Sequence, residues 1–275
     1  MSESYSWAGP VTAPDTYRLV GLLGSGGEGA VWRAELPLSA SGVTSVAVKI
    51  MRAIEDDEDE ARRWAQFGHL LRSLSHPGLV RVIDVFIGPQ SHRPNVADPA
   101  TRTAYVVMDY IDGPTLREWS DENPDATAGQ RLRMLRTVAA ALDEMHSGAA
   151  TRVPVAHGDV KPSNIVVRNN GGGTVLVDLG LTRLTDAVGA LGRSAPYAAP
   201  ELRAHGALVT PETDRFAFAA TTAQVLTGQR PPTGEDGWID IPALESLLSA
   251  SPVTRRRPQL VREVLEALTS PPAGR

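Results

Sequence analysis

The stretch Ala156–Asn164 reads AHGDVKPSN and contains one of only two lysines in a chain of 275 residues. The other is Lys49, in the stretch SVAVKI, and all remaining Lys-or-Arg positions are arginine. An ammonium group is a compact point charge, whereas a guanidinium is a wide planar fork, so the two are not interchangeable at every site. The pattern therefore indicates two positions where a compact positive charge is required.

The composition is that of a globular protein with a hydrophobic core, because 42% of the residues are hydrophobic. A net charge of −5 gives no indication of a nucleic acid partner. The absence of cysteine excludes disulfides and thiolate chemistry. No apolar run approaches the roughly 18 residues of a membrane helix, and the N-terminus lacks the pattern of a secretory signal. These features predict a cytoplasmic protein without a membrane segment.

The order of the predicted elements divides the chain into a strand-rich part and a helix-rich part. Hydrophobic patterns predict strands at TYRLVGLL, VWRAEL, SVAVKIM, HPGLVRVIDVFI and TAYVVMDYI. Apolar residues at 64, 67, 70, 71 and 74 predict one helix among them, and helical patterns dominate after residue 114. The prediction is an α+β fold of two lobes, with these boundaries: a flexible tail at 1–14, lobes at 15–109 and 114–268, a hinge at 109–113, and a tail or linker at 269–275.

A glycine-rich loop, GSGGEGAV, joins the first two predicted strands. Gly24, Gly26 and Gly29 have the G-x-G-x-x-G spacing, which also occurs in dinucleotide-binding turns. In those turns the glycines open a helix, whereas the residues that follow here alternate as a strand. Such a loop can cover phosphates with its backbone N–H groups, because glycine has no side chain in the way.

Six motifs follow one another in a fixed order: the glycine loop, VAVK, HGDVKPSN, VLVDLG, APE and TDRFAFA. This set resembles the eukaryotic-like Ser/Thr protein kinases, including their bacterial members, over residues 17–268. The resemblance implies a bilobal kinase fold, with a small, mostly antiparallel sheet and one main helix in the first lobe and a larger helical second lobe. It also implies ATP and Mg²⁺ as cofactors and a protein as the phosphate acceptor.

The resemblance assigns catalytic and metal-binding roles to five residues. Lys49 would hold the α- and β-phosphates, and Lys161 would contact the phosphate in transfer. Asp159 would accept the proton of the substrate hydroxyl. Asn164 and Asp178 would be the magnesium ligands, since Mg²⁺ prefers hard oxygen donors.

The resemblance also implies a set of nucleotide-binding residues. The glycine loop contributes backbone groups, apolar side chains cover the adenine, Met108 lies at the gatekeeper position, and residues 109 and 111 offer backbone groups to the base. The whole set is Gly24, Ser25, Gly26, Gly27, Gly29, Val31, Ala47, Lys49, Met108, Asp109, Ile111 and Val166. Two structural roles are implied as well: Asp214 would brace the catalytic loop, and Glu201 and Arg257 would form a buried ion pair.

Two departures from the family bear on regulation. The helix after the third strand should carry a glutamate for Lys49, but the spacing places Phe67 there. Gly158 replaces the arginine that usually binds a phosphorylated activation loop. We therefore expect activity that does not depend on phosphorylation of Thr182 or Thr185, and an activating partner or self-association at the helix of Phe67.

Two alternatives to an active protein kinase remain open. Phe67 and Gly158 are compatible with a pseudokinase that binds nucleotide as a scaffold. The HGD motif also suits small-molecule phosphotransferases of the aminoglycoside-kinase type. The APE, KPSN and DRFAFA motifs argue against the second alternative, because they build a platform for protein substrates.

Overall fold

The computed structural model describes residues 6–27, 29–38, 42–53, 58–179, 196–204 and 207–272. The chain forms two compact units. The first contains Met1–Ser75 and Arg81–Ile111, and the second contains His76–Val80 and Asp112–Arg275. The predicted boundaries of the lobes, the hinge and the C-terminal tail stay predictions.

The first unit is built on a six-stranded antiparallel sheet in the order β1-β2-β3-β4-β6-β5. Each of the five predicted strands is present. The strands are β1 (Ser6–Ala8), β2 (Tyr17–Gly26), β3 (Gly29–Leu38), β4 (Gly42–Ala53), β5 (Val82–Gly88) and β6 (Thr103–Asp109).

The two faces of this sheet have different partners, as the period-two patterns require. One face forms a hydrophobic core that includes Leu19, Val46, Val48 and Tyr105. Helix α1 (Glu58–Ser73) packs against β5, so closely that a Cβ on Gly68 would lie 2.8 Å from Cβ of Val85.

The helical face predicted for α1 is confirmed by burial. Trp64, Phe67, Leu71 and Leu74 are all buried, and the rings of Trp64 and Phe67 meet edge to face with centroids 5.7 Å apart. Phe67 is therefore a core residue of the first unit.

Strand β1 corrects the prediction of a tail without regular structure for residues 6–8. It pairs with β2, and Trp7 exchanges backbone hydrogen bonds with His92 at 2.7 and 3.0 Å. Ala8 is fully buried. Three residues are too few to show a hydrophobic period, and both pairing partners are distant in sequence, so no local pattern marks this strand.

The second unit is mostly helical. Capping boxes at Thr115 and Thr127 start the first two helices, and left-handed glycines at 148 and 228 end two of the helices. Its elements are α2 (Leu116–Glu122), α3 (Ala128–Ser147), β7 (Ile165–Val167), β8 (Thr174–Leu176), α4 (Pro211–Thr227), α5 (Ile241–Ala250) and α6 (Pro258–Thr269), with short 3₁₀ turns at Pro162–Asn164 and Pro200–Arg203.

Helix α4 is the centre of this unit and contributes Phe216, Ala220 and Leu226 to a core shared with α5 and α6. The predicted buried ion pair between Glu201 and Arg257 is wrong, because the side chain of Arg257 is exposed at the start of α6. No helix in the described ranges is long and apolar enough to cross a membrane.

Candidate active site

Asp214 holds the backbone of the catalytic loop, which is the stretch Ala156–Asn164, as predicted. Asp214 lies in the first turn of α4 and is 1% exposed. Its carboxylate accepts hydrogen bonds from the N–H groups of His157 at 2.6 Å and Gly158 at 2.8 Å. Gly158 has φ +86°, a left-handed conformation that glycine adopts without strain. The glycine that replaces arginine is thus part of a sharp turn directly before Asp159.

His157 is 1% exposed and is hydrogen-bonded on both sides of its ring. Its Nδ1 accepts from the N–H of Asp159 at 3.3 Å, and its Nε2 faces the carbonyl of Val177 at 3.2 Å. This arrangement fits the neutral ring with its proton on Nε2. Burial lowers the pKa of His157, although nearby carboxylates, Asp214 first, act in the opposite direction.

Asp159, Lys161 and Asn164 form one cluster. Oδ2 of Asp159 accepts from Nζ of Lys161 at 2.7 Å and from Nδ2 of Asn164 at 2.9 Å. Nδ2 of Asn164 also lies 2.9 Å from the carbonyl oxygen of Asp159. A cationic and an amide donor fix the orientation of this carboxylate. The cluster can accept a proton from a hydroxyl placed beside it.

Asp178 follows β8 and is joined to the same loop through the backbone. The N–H of Val177 donates to the carbonyl of Asn164 at 2.8 Å. Asp178 has φ +61°, which is uncommon for a residue with a side chain and clusters at functional sites. The carboxylate of Asp178 and the amide of Asn164 therefore lie on adjacent segments.

These two residues fit a magnesium ion that is completed by substrate phosphates. Both side-chain hydrogen bonds of Asn164 come from Nδ2, which leaves its oxygen for a cation. Mg²⁺ commonly takes one or two protein carboxylates and draws its other ligands from phosphate and water. In the described part of the chain no three His, Cys, Asp or Glu side chains cluster as a metal site.

Four predicted nucleotide-binding residues share one face of the first unit's sheet. Val31 pairs with Lys49 and Ala47 pairs with Met108 in the strand registers, and directly opposed side chains lie on the same face. Lys49 is only 2% exposed. This face is opposite the hydrophobic core that contains Val46 and Val48.

The glycine loop is a hairpin between β2 and β3. Gly24, Ser25 and Gly26 pair with residues 31, 30 and 29. A Cβ on Gly29 would lie 2.0 Å from the carbonyl oxygen of Ile50, so only glycine fits there. A Cβ on Gly24, Gly26 or Gly27 would meet nothing within 4 Å, which leaves space beside the backbone for a ligand.

The remaining predicted residues lie at or just after the end of β6 and on β7. The N–H of Asp109 donates to the carbonyl of Arg81 at 3.0 Å, so it is the carbonyl of Asp109 that would serve a base. Ile111 is the last residue of the first unit. Val166 lies half-buried on β7 in the second unit, in a bridge with Thr115.

Sequence reasoning missed the role of His157, although the HGD motif contains it. Its hydrogen bonds link the backbone at Asp159 to the segment before Asp178. The motif alone identifies the residue, but its two partners become visible only in the folded loop. Thr182, Thr185 and Ser194 lie outside the described residues.

Comparison with known proteins gives the same family as the motifs. A family model described as "Protein kinase domain" matches residues 17–262. Serine/threonine-protein kinase PkaA of Streptomyces coelicolor is 30% identical over 266 residues, which cover 90% of this chain and 44% of that protein. PrkC of Bacillus subtilis is 28% identical over 92% of this chain and 37% of its own length. PknA of Mycobacterium tuberculosis is 28% identical over 96% of this chain and 59% of its own length.

A crystal structure of Rad53 in complex with AMP-PNP has the same fold. It matches with a TM-score of 0.64 and 18% identity, over 95% of this chain and 62% of that one. At this identity the match concerns the fold alone, and it confirms the predicted kinase fold. The chain spans 37% to 59% of the length of the three curated relatives above. The family model matches most of the length of this chain, so the chain belongs to the protein kinase domain family.

Proposed function

We propose that the chain is an ATP-dependent Ser/Thr protein kinase that transfers the γ-phosphate to a protein hydroxyl. The observation that carries this proposal is the Asp159 carboxylate, which accepts hydrogen bonds from Lys161 and Asn164. A pseudokinase has no need of an oriented base beside a cation. The names of the curated relatives, which are bacterial Ser/Thr kinases, support the same function.

In the proposed reaction the substrate oxygen attacks the γ-phosphorus and the bond to the β,γ-bridging oxygen breaks. The hydroxyl proton passes to the carboxylate of Asp159, and ADP leaves. Lys161 stabilises the negative charge on the transferring group. Lys49 binds the α- and β-phosphates, for which its position on β4 beside Val31 and Ala47 is suitable.

Mg²⁺ is the proposed metal cofactor, held by Asn164 and Asp178. When bound, it neutralises phosphate charge during transfer. The remaining nucleotide-binding residues keep the roles implied by the resemblance, with Val31, Ala47 and Val166 against the adenine and Asp109 and Ile111 at its edge.

Regulation through α1 is part of the proposal. The glutamate position is occupied by Phe67, which is packed in the core. We infer that a partner or a second copy of the chain sets the position of α1. Phosphorylation of residues 182 and 185 is not required, because Gly158 cannot bind the phosphate. A cytoplasmic location is part of the same proposal.

A nucleotide-binding scaffold is the second candidate, favoured by the burial of Phe67 alone. The deciding experiment incubates the chain with ATP labelled at the γ-phosphate and Mg²⁺, with and without generic protein substrates, and locates phosphate by mass spectrometry. Phosphoserine or phosphothreonine that is absent with Asp159→Asn supports the kinase. Nucleotide binding without any transfer would support the scaffold.

A further inference from the structure

Helices α2 and α3 of the second unit form a cleft of about 540 Å³ at the connection between them. Trp119 and Glu122 line the cleft from α2, Asp125 lines it from the connection, and Arg133 and Met134 line it from α3. Trp119 and Glu122 are three residues apart on one helix, so they project from the same face. The volume lies in the range of ordinary ligand sites. None of these residues belongs to the candidate active site.

A buried arginine fixes the connection at residues 123–126. Arg131 is 3% exposed, and its guanidinium donates to three carbonyl oxygens of this connection at 2.8 to 3.1 Å. A fourth hydrogen bond, of 2.8 Å, reaches the carbonyl oxygen of Val225 on α4. The cleft is therefore preformed, and a ligand that enters it does not have to order the connection first.

The charged side chains that line the cleft are two carboxylates and one guanidinium. Glu122 and Asp125 are exposed, and within the described ranges neither side chain forms an ion pair or a hydrogen bond. Arg133, on the α3 wall, is the single cation among the lining residues. Negative charge therefore predominates, which favours a cationic ligand.

The second unit already holds one of its own arginines with the same types of group. The guanidinium carbon of Arg203 lies 4.4 Å from the ring centroid of Trp238, and its Nη2 donates to Oδ2 of Asp236 at 2.9 Å. The guanidinium thus stacks on an indole while a neighbouring carboxylate accepts one of its N–H groups. The cleft offers the same combination in Trp119 and the carboxylate of Glu122.

We propose that the cleft between α2 and α3 binds an arginine side chain of a partner protein, stacked on Trp119 and paired with Glu122 and Asp125. A guanidinium is planar, so it can lie on an indole ring and still direct N–H groups at carboxylates. Its methylene stem can pack on the apolar side chain of Met134. Arginine and tryptophan are both enriched among the residues that dominate binding energy at interfaces. The inference is independent of the proposed kinase activity, because no residue of the catalytic loop takes part.

The test measures the binding of short, fluorescently labelled peptides of alanine and serine that differ only in the central residue. That residue is Arg, its uncharged isostere citrulline, Lys or Glu. Fluorescence anisotropy at low ionic strength and without ATP gives the dissociation constant of each peptide. We expect the Arg peptide to bind about tenfold more tightly than the citrulline peptide, and the Lys peptide to fall between them. The Glu peptide should bind most weakly, and added salt should reduce the differences.

Substitutions in the cleft should change the affinity for the Arg peptide in opposite directions. Glu122→Gln and Asp125→Asn should each weaken binding by about threefold, and Trp119→Ala should remove the preference for Arg over Lys. Arg133→Ala should tighten binding, because it removes the cation that repels the ligand. The matched control Glu245→Gln, at an exposed glutamate on α5, should have no effect. Tighter binding by Arg133→Ala cannot result from loss of folding.

Three results would overturn the inference. Equal affinity for the Arg and citrulline peptides would mean that the cleft does not recognise a guanidinium, whether or not the chain transfers phosphate. Arg-selective binding that Glu122→Gln and Asp125→Asn leave unchanged would place the ligand elsewhere. The third result concerns the exposed arginines at 255–257, between α5 and α6. If sedimentation of the chain alone shows a dimer that both Glu122→Gln and Arg256→Gln weaken, a second copy fills the cleft instead of a partner protein.

Discussion

At the residue scale, the catalytic loop depends on groups that hold both the side chain and the backbone of Asp159. Its carboxylate accepts from Lys161 and Asn164, and its N–H donates to His157. The ammonium of Lys161 lies 2.7 Å from the carboxylate oxygen, a distance typical of charge-assisted hydrogen bonds. The geometry explains why a chain that otherwise uses arginine retains lysine here.

The two lysines can be tested by substitutions that conserve charge. Lys49→Arg and Lys161→Arg should each reduce phosphoryl transfer by about 100-fold or more, comparable to the loss of one preorganised electrostatic group. The guanidinium is too wide for a site built around a point charge. Turnover is measured at saturating ATP, with Arg262→Lys as the control. Activity within a few-fold of normal in either Arg variant would mean that the placement of the lysines is coincidental.

His157 should make stability depend on pH. Its folded pKa lies below its ordinary value because it is buried, so the unfolded chain binds a proton near pH 6.5 before the folded chain does. The free energy of unfolding should be level above about pH 7 and fall below about pH 6.5, by at most about 1.4 kcal/mol per pH unit for one proton.

Denaturant unfolding between pH 7.5 and 5.5 checks this dependence. His157→Asn should flatten the curve, whereas His69→Asn, at an exposed histidine on α1, should not. An unchanged slope in His157→Asn would assign the pH dependence to another group.

At the element scale, α1 is held by an aromatic contact where the family has an ionic one. Phe67→Ala should lower the free energy of unfolding by about 3–5 kcal/mol, because it leaves a cavity beside Trp64. Gln66→Ala, one residue away and exposed, should change it by less than about 0.5 kcal/mol. Urea unfolding followed by tryptophan fluorescence measures both. A small effect of Phe67→Ala would place Phe67 outside the core.

The elements that sequence predicted correctly are those with a local signal. Strands β2 to β6 and helix α1 have clear hydrophobic periods, and the glycine loop separates β2 from β3. Strand β1 has no such signal, since its partners lie 9 or more residues away in sequence. The predicted pair of Glu201 and Arg257 failed for a related reason: an ion pair depends on how α6 packs, which no motif specifies.

The same contrast between local sequence signals and contacts made only on folding holds for the candidate active site. Motif order identified Asp159, Lys161 and Asn164 but not which atoms meet, and their roles stay predictions. The brace at Asp214 was predicted from its motif and is confirmed by two hydrogen bonds. The ring of His157 was missed because both of its contacts depend on the folded backbone.

At the scale of the whole molecule, the open question is what controls activity. We propose that control lies at α1 rather than at Thr182 and Thr185. The double variant Thr182→Ala, Thr185→Ala should therefore phosphorylate a separate substrate at nearly the normal rate. A decrease of tenfold or more, equivalent to about 1.4 kcal/mol in the barrier, would restore loop phosphorylation as the switch.

The most direct test of the central claim compares the natural sequence with Asp159→Asn in parallel assays of nucleotide affinity and turnover. We expect kcat for protein phosphorylation to fall by about 100-fold or more, within the range for loss of a general base. The affinity for ATP with Mg²⁺ should stay within about threefold, because Asp159 acts on the acceptor hydroxyl. Turnover equal to that of the natural sequence, with folding and ATP affinity unchanged, would contradict the assignment of Asp159 as the base and the account built on it.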